Sequence, residues 1–529
     1  MPLKTNDLYK GYRAPKNHGD ALISPSFGEA AELIRENQTT RSQHPMASIR
    51  PQARKQLIAS AFQPTSQYRD VSDLNRNSDC MVLSGHQPTL CHPGVWFKNF
   101  ALSKIAEQQN ATAVNLVIDN DVAIGSSIRV PVIETASGGA YYEAIDFDDA
   151  GGGVPFEQME LRDHARFDSF ANRVTKTIAP LVETPCINHL WMHAQVAKQR
   201  SNNLGTIFAE ARHSLETHCN LRTLEVPLSH VCETRSFLEF ILHLVGDLPR
   251  FHQCYNDSVA HYRTAHGIRS SSHPVPNLRK QDEWLEAPLW IYGDGDPNRR
   301  PSWIKLSKEH LTISDGDYRE RTIHLNHPDE SVEELAAALG PDFKIRPRAL
   351  VTTMYARMIL SDLFLHGIGG GKYDQLGDQI ARSFFGSEPT HYIVISATAL
   401  LPAVQTSILT NNTRQLTRSI RDTIYQPERF AGELDLPAGL LQQKRELLQE
   451  IPRKGQRKQW HRQMELINRE LAAGLADRRS VLEQELKQDR VRSAAHRIIA
   501  NREHPFCLFD LNYLMETFES MLTETIKSK

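Results

Sequence analysis

Three short stretches of the chain bring together residue types that could do chemistry. The first, SGHQPTLCHPGVWFKN, spans residues 84–99 and sets His86, His92 and Lys98 around the predicted start of a helix at Pro93. A helix N-terminus carries unpaired amide donors and the positive end of the helix dipole. An anion docked there would meet backbone N–H groups, an imidazole and Lys98, with Gly85 and Gln87 alongside. Cys91 reads as a small buried apolar residue rather than a nucleophile, and Trp96 and Phe97 read as core.

The second stretch is Asp119-Asn120-Asp121, at the end of a predicted strand. If the strand ran that far, alternation would put Asp119 and Asp121 on one face, where they could grip one cation. If the chain turns at Asp119, a single carboxylate could act as a base or bind an ammonium or magnesium ion, and a purely turn-forming role is an equal reading. The third stretch, HGIGGGKYDQLGD from His366, fails the Walker A pattern, which needs glycine in place of His366 and Ser or Thr in place of Tyr373. It also fails the dinucleotide fingerprint, with Lys372 or Asp374 where the third glycine belongs. What survives is close backbone approach at Gly369, Gly370 and Gly371. Beside them, Lys372 would neutralise a phosphate or carboxylate, Tyr373 would donate a hydroxyl and Asp374 would cap a helix over 373–385. The candidate catalytic residues are therefore His86, His92, Lys98, Asp119 and Lys372. Gly85, Gln87, Asp121, the three glycines, Tyr373 and Asp374 are candidate substrate contacts, and no metal-ligand set is indicated.

The elements that must position these residues can be read from hydrophobic patterning. CMVLSG (80–85) is a short apolar run ending at glycine, Pro93 suits a first helical turn, and AVNLVID reads as a second strand. Strand, loop, helix and strand over 81–119 make a βαβ unit, hence an α/β class with a parallel sheet, whose ligands sit outside the carboxyl ends of the strands. Residues 1–77 read as a helical preface, 78–155 as the first part of the core, and 156–345 as an inserted α/β region. That region contains a β-hairpin, PLWIYGDGDPNRRPSWIKL. The core pattern returns over 346–405, ending in the strand HYIVIS, and 406–529 reads as helical. There Met464, Ile467, Leu471, Leu475, Leu482 and Leu486 approach a coiled-coil seam, and the break at 451–455 predicts an antiparallel helical hairpin through which a homodimer could form. From Leu441 to Glu503 Lys and Arg outnumber Asp and Glu, as on a solvated face.

Composition narrows the class. The chain has 529 residues, 40% hydrophobic, with a formal net charge of -2, which speaks against a nucleic-acid partner engaging the whole surface. No run approaches the ~18 apolar residues of a membrane span, and the amino-terminal stretch has no signal-like apolar core, so a cytoplasmic protein without a membrane partner is expected. The 7 cysteines include no C-x-x-C pair and read as reduced thiols.

Taken together, the three stretches resemble the cysteine-adding ligases of bacillithiol biosynthesis, the BshC family. Gly85-His86-Gln87 with Trp96-Phe97-Lys98 resembles that family's Gly-Gln-Gln loop and aromatic helix. Ile118-Asp119-Asn120-Asp121 resembles in part its acidic Glu-Asp-His-Asp segment, and Arg346-Pro347 with Gly369-Gly370 resembles its Arg-Pro pair and Gly-Gly turn. The resemblance covers roughly residues 80–500. It implies a Rossmann-like core related to class I nucleotidyltransferases, with insertions and a C-terminal coiled coil. His86 stands where the family has its first glutamine, the acidic segment lacks its histidine, and Gly-Lys-Tyr-Asp replaces Pro-x-Glu, so the substrate is free to differ.

The expected activity is then ligase-like group transfer, joining a cysteine-like amino acid to an acidic or sugar-linked small molecule. Carboxylates acylate poorly until activated, so ATP and Mg²⁺ are co-reactants to look for, with Lys372, Lys98 and helix N-termini meeting the developing negative charge. Nucleotidyl or glycosyl transfer on the same core, and a non-catalytic coiled-coil assembly protein, are the two other readings of the same residues.

Overall fold

The computed structural model describes residues 10–134, 137–149, 151–403, 412–432, 435–450 and 452–527. Residues 1–9 of the amino-terminal stretch and Ile451 of the expected break lie outside this set. The chain divides into two compact units. The larger comprises residues 1–130, 144–400 and 502–529, and the smaller comprises 131–143 and 401–501.

The larger unit is mixed α/β. Its strands are β1 (Ala21–Ser24), β2 (Met81–His86) and β3 (Thr112–Val117), then, beyond a two-stranded ribbon of β4 (Ser127–Glu134) and β5 (Gly139–Asp146), β6 (Leu224–Pro227). An antiparallel sheet comes next, built from β7 (Lys280–Gln281), β8 (Trp284–Gly293), β9 (Asp296–Leu306), β10 (His310–Ser314), β11 (Glu320–His324) and β12 (Lys344–Pro347). The last strands are β13 (Leu363–His366) and β14 (Tyr392–Ala397). The central sheet has the order β1-β14-β13-β2-β3-β6, parallel throughout except for antiparallel β1. Every residue of β3 is buried, as expected for a strand covered on both faces.

Two segments expected to lie outside the core supply strands to it. β1 comes from the supposed helical preface and β6 from the supposed insertion, and each is only 4 residues long. The hairpin read from PLWIYGDGDPNRRPSWIKL is present as β8 and β9.

Helices bordering the two cavities described below include α1 (Arg50–Thr65), α2 (Pro93–Gln108), α3 (Leu204–His218), α4 (Ala349–Tyr355) and α5 (Ile368–Phe385). α2 begins as the sequence predicts, with proline in its first turn and the His92 Nδ1 accepting from the Gly94 amide at 3.1 Å. α5 begins earlier than predicted. The glycines are its first turn, closed by the Gly371 amide donating to the Gly367 carbonyl at 2.9 Å, and it ends at Gly386 with φ 65°. Gly367 is the N-cap and supplies no side chain. Asp374 therefore caps nothing; it lies inside the helix, buried against Arg357 and His366.

The smaller unit holds helices Thr413–Tyr425, Ala438–Gln449, Arg457–Ala473 and Ala476–Ile499. The expected seam crosses the boundary between the last two. Leu471, Leu475 and Leu482 meet Phe430, Leu436 and Leu441 in a small local core. Ala438–Gln449 packs against Arg457–Ala473, in keeping with the predicted hairpin. The carboxyl-terminal helix Leu511–Lys527 belongs to the larger unit.

Candidate functional site

Between β2 and β13 the chain order across the parallel sheet reverses, from β2-β3-β6 on one side to β13-β14 on the other. Connections leave the two strands in opposite directions there, and a crevice opens outside the carboxyl ends. A pocket of about 460 Å³ occupies that position. Its floor is Gly85, Leu116, Phe364 and Ile395 from the strands, and its walls include the first turns of α2 and α5.

From the β2 side come His86, Gln87, His92 and Lys98. Lys98 is 3% exposed, and its Nζ donates to the Gly85 carbonyl at 2.5 Å. Burial pulls its pKa down to about 8. Burial, with the positive charges of Lys98 and Arg502 nearby, also lowers His86 to about 3 and His92 to about 4. Both imidazoles are therefore neutral at pH 7 and serve there as hydrogen-bonding groups. Their tautomers differ. His86 Nδ1 lies 3.0 Å from the Gln87 carbonyl, which can only accept, so Nδ1 carries the proton and Nε2 is left as an acceptor. The His92 Nδ1 accepts from an amide, so its Nε2 carries the proton and donates. Burial pushes the Cys91 thiol up to about 11, which keeps it protonated.

From the β13 side, His366, Gly367, Ile368, Gly369, Gly370 and Tyr373 line the pocket. A Cβ on Gly370 would stand 2.7 Å from His366 Nδ1, and one on Gly371 would strike Val394. Gly371 thus serves close packing of α5 on β14, whereas the start of α5 presents amides to the pocket. The His366 Nε2 donates to Asp374 at 2.8 Å, and Asp374 also accepts from Thr353 at 2.6 Å and pairs with Arg357 at 2.5 Å. The guanidinium of Arg357 holds the Asp374 carboxyl well below the usual range despite its burial.

The remaining wall comes from elements that sequence reasoning did not bring to the site. Trp290 on β8 has two guanidinium groups over its ring, Arg348 at 4.1 Å and Arg299 at 5.0 Å from the centroid. Arg348 pairs with Glu286 at 2.6 Å, and Arg299 with Asp121 at 3.2 Å. Arg502 enters from the carboxyl-terminal segment and donates to Thr398 Oγ1, Ser396 Oγ and the Ala397 carbonyl at 3.0, 2.9 and 2.8 Å. Among the described residues neither Lys98 nor Arg502 forms an ion pair with a carboxylate. Asp121 is the sole acidic residue among those lining the pocket.

Four expected site residues lie elsewhere. Lys372 is exposed and does not line the pocket. Its carbonyl accepts from Tyr262 at 3.3 Å, on a side of α5 away from the turn formed by Gly369, Gly370 and Tyr373. Gly371 and Asp374 are packing and bracing residues. Asp119 faces away from the pocket, on the same side as Val117, the last residue of β3. It accepts from the Ser229 amide at 2.9 Å and from the Ser229 hydroxyl. Asp121 instead accepts from Gln87 Nε2 at 2.8 Å and from Arg299. The two aspartates therefore do not converge, and this segment does not fit a shared divalent cation. No group of three or more His, Cys, Asp or Glu among the described residues is arranged to hold a metal ion. No described helix is long and apolar enough to cross a membrane.

No protein-family model and no curated protein matches the chain.

Proposed function

We propose that the chain is a ligase-like group-transfer enzyme that joins a cysteine-like amino acid to an acidic or sugar-linked metabolite, as in low-molecular-weight thiol biosynthesis. In this reading the sheet order is that of a Rossmann-like core, and the pocket between β2 and β13 holds the anionic partner. One observation carries it: Lys98 and Arg502, two cations without carboxylate partners among the described residues, share a pocket with the N-termini of two long helices. Uncompensated positive charge in a crevice of this size calls for a small anion bearing phosphate or carboxylate.

The chemistry stems from that charge. An amine nitrogen attacks the carbonyl carbon of a carboxyl group activated by a nucleoside triphosphate. The carbon–nitrogen bond forms as the bond to the leaving oxygen breaks, and that oxygen takes the electron pair. Lys98, Arg502 and the α5 amides meet the charge growing there. The amine's proton passes to the departing oxygen, and Lys98, which a pKa of about 8 leaves mostly protonated at neutral pH, stays the charged group beside it. His92 donates and His86 accepts to orient the reactants.

The test is a thermal-shift screen of phosphorylated and carboxylated metabolites on the full chain, followed by mass spectrometry of reactions containing the best ligand, amino acids and ATP. A stabilising anion should emerge, with its shift abolished in Lys98→Ala, and a product joined to the amino acid should form. A response to nucleotides and nucleotide sugars alone, with no joined product, would favour nucleotidyl or glycosyl transfer. No response to any anion would end the reading.

A further inference from the structure

β3 serves a second cavity, of about 590 Å³. Leu116, Ile118, Asn120 and Asp121 line the anion pocket, while Val117 and Asp119 line this one. Its other walls are the end of β6, α1 and the first turns of α3.

Its polar lining is acidic. Asp119, Glu210, Glu225 and Glu233 face it, against Arg200 and His230. Arg200 is taken up by Glu210 at 2.6 Å. The guanidinium groups just behind the wall are shared: Arg212 pairs with both Glu216 and Glu225, and Arg346 with both Glu157 and Glu233. Asp119 has only the neutral donors of Ser229. Glu225 supplies the independent sign of a missing ligand. It is 3% exposed; its Oε1 accepts from Arg212 and Asn115, but its Oε2 is buried without a hydrogen-bond partner. A buried carboxylate oxygen is seldom left without a donor. Burial and Glu157 raise Asp119 to about 7, and burial likewise raises Glu225, the response of carboxyl groups short of a counter-charge. Pro64, Tyr68, Ala209 and Pro227 give the cavity an apolar side.

We propose that this cavity binds a small organic cation, a molecule carrying a primary ammonium group drawn to the carboxylates of Asp119, Glu225 and Glu233, with its hydrocarbon part against Pro64, Ala209 and Pro227. A primary ammonium brings three donors on one compact charge, which suits an unpaired carboxylate oxygen beside neutral and shared acidic groups. The use of this cation as the amine partner of the transfer rests on the proposed ligase activity; the binding site itself does not.

The experiment is isothermal titration of the full chain with propylammonium chloride and with each of the common L-amino acids, with sodium propionate as the control for ionic strength. At least one primary amine should bind and propionate should not compete. Glu225→Gln should weaken that binding by about 10-fold or more, the scale of a charge-assisted hydrogen bond. Glu233→Gln, at the exposed rim and keeping an amide oxygen for Arg346, should weaken it about threefold or more. Lys98→Ala should abolish anion binding in the first pocket and leave amine binding intact. If Glu225→Gln fails to fold by circular dichroism, Glu233→Gln decides. Absence of heat with every amine, or amine affinity unchanged in the folded variants, overturns the proposal. Loss of the anion reading with amine binding retained would leave it standing.

Discussion

The two cavities that share β3 are built on opposite principles. In the pocket between β2 and β13, the cations Lys98 and Arg502 are anchored by neutral oxygens of Gly85, Ser396 and Thr398, so their charge stays available. In the cavity beside β6, carboxylates share too few guanidinium groups, and one oxygen of Glu225 is left over. The strand makes this separation cheaply, because successive residues point to opposite faces. Leu116 goes to one side and Val117 to the other; Ile118 and Asp119 continue that alternation past the strand end, and beyond them Asn120 and Asp121 both turn to the first. A fold that needs to hold an anion and an ammonium near one sheet edge gains from this alternation, since each field would otherwise neutralise the other.

Arg346 is where the two sides can be broken together, and it carries the largest expected effect. Its side chain is 1% exposed, held between Glu157 at 2.9 Å and Glu233 at 3.3 Å, while the residues after it, Pro347 and Arg348, line the anion pocket. Arg346→Ala leaves Glu157 buried beside Asp119 without a counter-charge, which costs about 3–5 kcal/mol. Chemical denaturation should show that loss, and titrations should show both ligands weakened. A variant as stable as the parent would mean that the buried pair contributes no net stability and that the cavities are independent.

The sequence discloses the anion side better than the ammonium side, for physical reasons. β2 and β3 are continuous apolar runs flanking a proline-started helix, a pattern that suits a buried βαβ unit, so the loop carrying His86, His92 and Lys98 falls in place. β6 is LEVP and β1 is ALIS, each too short for periodicity to mark it, and both are strands because neighbours supply the ladder. Glycine spacing predicts a close approach of backbone to a ligand; the structure shows Gly370 and Gly371 packed close to His366 and Val394, in a helix that begins at Ile368 rather than at Tyr373. That shift carries Lys372 round to the outside and turns Asp374 inward to brace His366. Arg502 lies in a stretch whose excess of basic residues reads as solvated. Only the tertiary fold brings it to Ser396 and Thr398. Glu225 carries no local signal, because an unpartnered oxygen is a property of packing.

Gly94 sharpens the contrast at intermediate cost. A Cβ there would strike the Ala397 carbonyl and come within 2.7 Å of Arg502 Nη2. Gly94→Ala therefore has to push α2 from β14 or displace the guanidinium, and overpacking of this kind costs about 1–3 kcal/mol. Thermal melts should register the loss, and titrations should show anion affinity reduced while amine affinity holds. Equal loss of both would show that the glycine supports the sheet as a whole rather than one pocket.

The last test separates the cavities by the sign of their pH dependence, a slope rather than a single loss. His86 and His92 are held at about 3 and about 4, below the ordinary 6.5. As pH falls below 6.5 the unfolded chain takes up protons that the folded chain refuses, so this pair erodes stability down to its folded pKa values, by up to ~1.4 kcal/mol per pH unit for each histidine. Asp119 runs the other way. Its folded pKa of about 7 lies above the ordinary 3.8, so its protonated form favours the fold at low pH, and that contribution is lost as pH rises from about 4 to about 7. In the window between about pH 4.5 and 6.5 the two cavities therefore oppose each other. Asp119→Asn, which keeps a side chain able to bond Ser229, should make the acid loss of melting temperature steeper than in the parent. His86→Asn with His92→Asn should make it shallower. Parallel curves for both variants would mean that burial does not hold these groups as described, and the charge separation across β3 would lose its main electrostatic support.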